Sequence, residues 1–122
     1  MTHYYARILP FAVGILISSA AAAECRSSPV RYLLRGDSVA VSLSGLKGEA
    51  CNASWRVGGA ASIASADLAD RPKNGQATVT SSNVKYTPKA GFAGTDAFSV
   101  KLCGSNRQGQ GCSTLQFTVS LQ

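Results

Sequence analysis

Histidine is nearly missing from these 122 residues: the one that occurs, His3, stands at the extreme N-terminus. Methionine and tryptophan also occur once each, and six acidic residues face twelve lysines and arginines. With no histidine in the body of the chain, His-based nucleophile pairs, imidazole acid–base chemistry and most zinc sites are excluded. The six carboxylates are Glu24, Asp37, Glu49, Asp67, Asp70 and Asp96, and they form no D-x-D cluster of the kind calcium needs. Asp67 and Asp70 lie three apart in a stretch that reads as a solvated loop. No catalytic residue, metal or cofactor is expected, and the chain reads as a non-enzyme. A run of apolar residues long enough to cross a membrane, roughly 20, is lacking too.

What is present begins with an export signal. Met1 to Arg7 is short, polar and carries one positive charge. Ile8 to Ile17 is almost wholly apolar, and Ser18 to Ala23 is a run of small residues ending in Ala21-Ala22-Ala23. That order is the layout of a cleaved secretory signal over residues 1–23, leaving a mature domain over 24–122 that is periplasmic or secreted. Glu24 precedes Cys25 where a lipid-attachment site wants a small residue, which argues against lipidation. Arg7 and His3 leave with the signal, so the mature charge is +5 and the domain has no histidine.

Period-two alternation recurs through the mature chain. Val39, Val41 and Leu43 alternate with polar or small residues, as do Trp55 and Val57, Val84 and Tyr86, Phe98 to Leu102, and Leu115 to Leu121. Each pattern describes a strand with one face in a core and one in water. Turn residues punctuate them at Arg35-Gly36-Asp37, Gly58-Gly59, Pro72 to Gly75 and Pro88 to Gly94. Helical periodicity is nearly absent; its best candidate, Ser62 to Ala69, is too short and too rich in alanine and serine for a core helix. The reading is all-β, with seven short antiparallel strands near 30–34, 38–44, 53–58, 76–80, 83–87, 96–103 and 112–121 forming one two-sheet sandwich.

From Pro72 onward the residues resemble a known family. Asn74 to Val79, then Val84-Lys85-Tyr86-Thr87-Pro88, then Gly91-Phe92-Ala93-Gly94-Thr95-Asp96-Ala97-Phe98 look like the bacterial Ig-like, cadherin-like repeats. The resemblance implies an immunoglobulin-like β-sandwich that serves exported proteins as a spacer or binding module; four cysteines are an addition to its usual pattern. The motif also has a physical reading. Gly91 and Gly94 allow a sharp turn, Tyr86 and Phe92 plug the sandwich end, and Asp96 accepts backbone N–H groups in the turn.

All four cysteines, Cys25, Cys51, Cys103 and Cys112, follow the cleavage site, and an even number in a short exported domain reads as a disulfide framework. If the seven strands alternate in direction, all four gather at one end of the sandwich. By parity Cys103 and Cys112 lie on outward faces of neighbouring strands, a separation a disulfide tolerates. Cys103–Cys112 is therefore expected, and by elimination Cys25–Cys51. The buried bridge of antibody domains is not expected, because the second strand, 38–44, has no cysteine.

For function, three features stand out. Gly104 to Gly111 reads as a polar loop pinned by cysteines, with Ser105, Asn106, Arg107 and Gln108 as its candidate contact residues. Arg56, Lys85 and Lys101 fall at outward positions and suggest a basic sheet face. Arg35-Gly36-Asp37 reads as a hairpin turn, not an adhesion motif, and the sequon Asn52-Ala53-Ser54 as unused in a bacterial envelope. The expected function is a non-catalytic interaction or structural module of the envelope, working through its sheet faces or that loop, with an unknown protein or an anionic envelope polymer as partner. The alternative is a small periplasmic glycan- or ligand-binding protein, or an inhibitor of an envelope enzyme. Nucleic acid is not expected, since no stacked aromatics lie between the basic residues. No membrane span remains after signal cleavage.

Overall fold

The structure is a computed structural model that describes residues 25–27, 29–32, 34–58 and 61–122, so the leader read over 1–23 lies outside the described residues. Among the described residues nine strand elements follow one another: β1 (Cys25–Arg26), β2 (Val30–Tyr32), β3 (Ser38–Gly45), β4 (Cys51–Val57), β5 (Ser62–Asp70), β6 (Gly75–Val79), β7 (Asn83–Pro88), β8 (Gly94–Asn106) and β9 (Gly109–Leu121). One sheet runs β1-β4-β7-β6, with β2 also on β4; the other runs β3-β9-β8-β5. The strands β4-β7-β6 facing β5-β8-β9 keep the B-E-D and C-F-G order of immunoglobulin-type sandwiches, with β3 parallel beside β9, while β1 and β2 run opposite to β3 and add a parallel edge to β4. The hairpins are antiparallel, whereas β1 and β2 run parallel to β4, and β3 parallel to β9.

Alternation builds the core as the period-two rule requires. Leu43, Trp55, Val84, Tyr86, Phe98, Val100, Leu115, Phe117 and Val119 are all buried between the sheets. Phe98 stacks on Tyr86 at 5.7 Å and on Phe117 at 4.8 Å between ring centroids, tying the two sheets together. Each such side chain contributes about 1.5–3 kcal/mol by leaving water. Trp55 places its indole N–H on the Ser81 carbonyl at 2.9 Å, so its one polar atom is satisfied.

Three expectations are corrected. The segment Ser62 to Ala69 is neither helix nor loop: it lies in β5, antiparallel to β8. Two register shifts, at Ile63/Ser65 and Leu68/Asp70, throw Ile63, Ala66 and Leu68 off a strict period of two, which is why alternation did not show there. Arg35-Gly36-Asp37 is not a hairpin turn but a crossover from β2 in one sheet to β3 in the other, with Gly36 at φ 84° and its N–H on the Cys112 carbonyl. The cysteines do not share one end.

The structure bridges Cys25 to Cys51 and Cys103 to Cys112. Cys51 pairs across the ladder with Tyr86, whose hydroxyl reaches Asp96; Cys103 lies seven residues further along β8. At 3.3 Å per residue the bridges stand about 20 Å apart, at opposite ends. The overlooked β5 reverses the direction of every strand after it, which moves the last hairpin to the far end. The second strand of the immunoglobulin order is β4 and not 38–44; β4 does hold Cys51, but that cysteine is bridged to β1 and the antibody-type inter-sheet bridge is not formed.

The last hairpin is longer than its composition suggested. The β8–β9 ladder continues through Gly104↔Gly111 and Ser105↔Gln110 to Asn106↔Gly109, leaving only Arg107 and Gln108 as the turn. Glycine is needed here because other backbone comes close. A methyl group on Gly104 would stand 1.9 Å from the Ser62 carbonyl oxygen, and one on Gly111 2.1 Å from that of Leu34. Gly104→Ala must therefore push β5 away from β8. We expect a loss of about 2–3 kcal/mol, read as a fall in thermal midpoint of roughly 10–20 °C.

Candidate functional site

The outer face of the β1-β4-β7-β6 sheet gathers positive charge. On β4 the outward residues are Asn52, Ser54 and Arg56; on β7 they are Asn83, Lys85 and Thr87; β1 and β2 add Arg26 and Arg31. Register places Arg26 beside Asn52 and Asn52 beside Lys85, a row across three strands. Four residues further along β4, Arg56 stands directly opposite Arg31, and both are exposed. Like charges directly opposite on neighbouring strands are destabilising. Among the described residues no outward position of β1, β2, β4, β6 or β7 carries a carboxylate.

Lys101 does not belong to this face, which corrects the grouping with Arg56 and Lys85. It lies on β8 in the other sheet, opposite Asp67 of β5. That sheet's outer surface is instead rich in hydroxyls, with Ser38, Ser42 and Ser44 beside Thr114, Thr118 and Ser120.

A groove of about 620 Å³ opens on the basic face where β1 breaks from β4, lined by Arg26, Ser27, Pro29, Glu49, Asn52, Ser54 and Asn83 among others. The break has a local cause. Three residues separate Arg26 from Val30 where two separate Asn52 from Trp55, so the first strand carries one extra residue there, and Pro29 has no N–H to give a ladder. The Ser27 hydroxyl is buried at the groove and has no hydrogen-bond partner among the described residues. Glu49 at the rim is engaged, its Oε1 accepting the Leu46 N–H at 2.8 Å. The sequon residue Asn52 lies exposed beside this groove.

The fold-motif residues come together at the end that holds the Cys25–Cys51 bridge. Asp96 is 5% exposed, and its carboxylate accepts four hydrogen bonds: from the N–H groups of Lys73 and Ala97 at 2.9 Å, of Asn74 at 2.8 Å, and from the Tyr86 hydroxyl at 2.8 Å. Burial alone would raise the Asp96 pKa, but these donors outweigh it and hold the group below its ordinary value. Burial, the hydrogen bond and the charge of Asp96 together push the Tyr86 hydroxyl well above the usual tyrosine range. Gly91 at φ 74° and Gly94 at φ 133° turn the chain between Pro88 and β8, with Phe92 half-buried between them. Fully donated to and buried, Asp96 organises the turn at Lys73–Asn74 and has no lone pair directed at a ligand.

The hairpin residues divide. Asn106 turns back on the fold: its Nδ2 donates to the Leu34 carbonyl at 2.6 Å, and its Oδ1 accepts the Gln108 N–H at 2.9 Å. Ser105, Arg107 and Gln108 are exposed. Two further carboxylates are also employed: Asp37 bonds the Ser113 hydroxyl, and Asp70 accepts from Ser99 at 2.7 Å. Among the described residues no group of three or more His, Cys, Asp or Glu could hold a metal.

The model of the family described as "Bacterial Ig domain" matches residues 36–120. No curated protein matches. Among solved structures, a cysteine protease inhibitor of Entamoeba histolytica is similar at 14% identity, covering 79% of this chain and 99% of its own, with a TM-score of 0.27. A likeness that slight carries no argument.

Proposed function

Since the chain belongs to the bacterial Ig domain family, we propose that it is an exported, non-catalytic binding module of the cell envelope whose outer β1-β4-β7-β6 face holds an anionic polymer. The observation that carries this reading is the in-register pair Arg31 and Arg56, with Lys85 and Arg26 on the same face and no outward carboxylate among the described residues. Two arginines side by side cost stability unless an anion lies across them. The amides and hydroxyls of Asn52, Asn83 and Ser54 between the basic rows suit the hydroxyl and carboxylate groups of an acidic glycan or wall polymer. Two disulfides fit an oxidising compartment, periplasmic or secreted. The carboxylate inventory supports a non-catalytic role, because Asp37, Glu49, Asp70 and Asp96 are all committed to internal bonds.

The test is retention of the oxidised protein on purified anionic cell-wall polymer across a salt series. Binding is expected to weaken as salt rises, and Arg56→Glu with Lys85→Glu to lower affinity by roughly tenfold or more. Arg107→Ala, at the hairpin tip, is expected to leave affinity unchanged. Salt-independent binding, or equal loss from the Arg107 variant, would remove the face from consideration.

A further inference from the structure

We propose that the free edge of β3 is a self-association surface, at which two copies of this chain pair their β3 strands antiparallel and join their four-stranded sheets into one of eight. Among the described residues β3 is bonded only to β9, through eight consecutive register positions from Ser38↔Thr114 to Gly45↔Leu121 without a bulge. Its other side is an open row of backbone donors and acceptors. The carbonyls of Asp37 and Gly45 accept from Thr114 and Gln122 at the two ends of the β9 ladder. By the alternation of a strand, the odd-numbered residues between them also face β9. Ser38, Ala40, Ser42 and Ser44 therefore present N–H and C=O groups to the open edge.

Open edges are usually blunted, and the other three here are. β5 carries two register shifts together with Asp67 and Asp70. β6 is five residues long. The first-strand edge is broken between Arg26 and Val30, with Arg26 and Arg31 along it. β3 reads Ser-Val-Ala-Val-Ser-Leu-Ser-Gly, with no charge, no proline and no irregularity.

Charge admits a second copy as the occupant. A two-fold interface sets β3 against a reversed copy of itself, and because β3 carries no charge no like charges are brought together along it. The pattern also fits. With Val41 on the two-fold axis, Val39 lies opposite Leu43 on the core side, while Ala40 lies opposite Ser42 and Ser38 opposite Ser44 on the outer side. Apolar thus meets apolar and small meets small. In the same register the edge-facing residues Ala40 and Ser42 become hydrogen-bonded pairs. Half-buried Val39 gains cover on the core side.

Sedimentation equilibrium on the oxidised full chain, expressed with its own leader, tests this. The wild type is expected to be chiefly dimeric at about 100 µM, with weak affinity suited to a small interface. Ala40→Pro removes an edge-facing N–H that β9 does not use, and Ser42→Lys sets a long side chain over Ala40 of the other copy and two like charges diagonally across the axis. Each is expected to weaken dimerisation at least about tenfold while keeping the circular dichroism and thermal midpoint of the wild type. If Ala40→Pro unfolds, the exposed Ser42→Lys substitution decides alone. A wild type that stays monomeric overturns the proposal. So does a dimer that persists in the variants, or a monomer that changes mass only when envelope extract is added, which would make the edge a site for a foreign strand. Loss of polymer binding bears on the basic face alone, since β3 lies in the other sheet.

Discussion

Replacing Asp96 by alanine is expected to remove about 3–5 kcal/mol of stability, a large share of the roughly 5–15 kcal/mol a domain of this size commands. The loss is not that of one contact. The variant strands the Lys73, Asn74 and Ala97 N–H groups and the buried Tyr86 hydroxyl, all of which now converge on one carboxylate. Asp96→Asn keeps the shape but turns an amide NH₂ toward donors, and is expected to cost about 2–3 kcal/mol. Chemical denaturation at neutral pH measures both.

The same residue sets an acid limit. Its folded pKa is depressed, so its contribution is fully present above the unfolded value of about 3.9 and is lost as pH falls through the lower folded value. Stability of the wild type should therefore decline below about pH 4, and Asp96→Asn should flatten that part of the curve. An unchanged slope in the asparagine variant would show that another carboxylate governs acid unfolding.

How much of this was legible in the sequence depends on whether the local chemistry stayed regular. Alternation around Val39, Trp55, Tyr86, Phe98 and Phe117 marked a sandwich because each of those strands pleats without interruption. β5 was invisible for the opposite reason. Its bulges break the period, and its alanines, serines and aspartates favour strands weakly. That omission reversed the inferred direction of β6 to β9, so the two bridges were expected side by side although they lie at opposite ends. Glycine misled at the last hairpin: Gly104 and Gly111 read as loop, but serve a ladder that the chain at Leu34 and Ser62 approaches too closely for a side chain. The basic face was half legible. Parity put Arg56 and Lys85 outward, but only register sets Arg31 opposite Arg56 and sends Lys101 to the other sheet.

Because the bridges lie at opposite ends, removing them one at a time should separate stability from binding. Cys25→Ala with Cys51→Ala opens a closure of 26 residues, worth about 3.5 kcal/mol on the loop-entropy estimate. Cys103→Ala with Cys112→Ala opens one of 9 residues, worth about 2.6 kcal/mol. The corresponding falls in thermal midpoint are roughly 15–25 °C and 10–20 °C. Binding should divide more sharply. β1 is held to β4 by two register positions and its disulfide, so without the bridge Arg26 leaves the face and the groove loses a wall. The other pair is backed by a ladder of thirteen register positions between β8 and β9, which keeps its hairpin in place on the opposite sheet. Measured where both variants are folded, the Cys25/Cys51 variant should bind anionic polymer several-fold more weakly, and the Cys103/Cys112 variant as the wild type does. Equal binding by the two would mean that the β1 edge contributes nothing to recognition and that Arg31, Arg56 and Lys85 carry it alone.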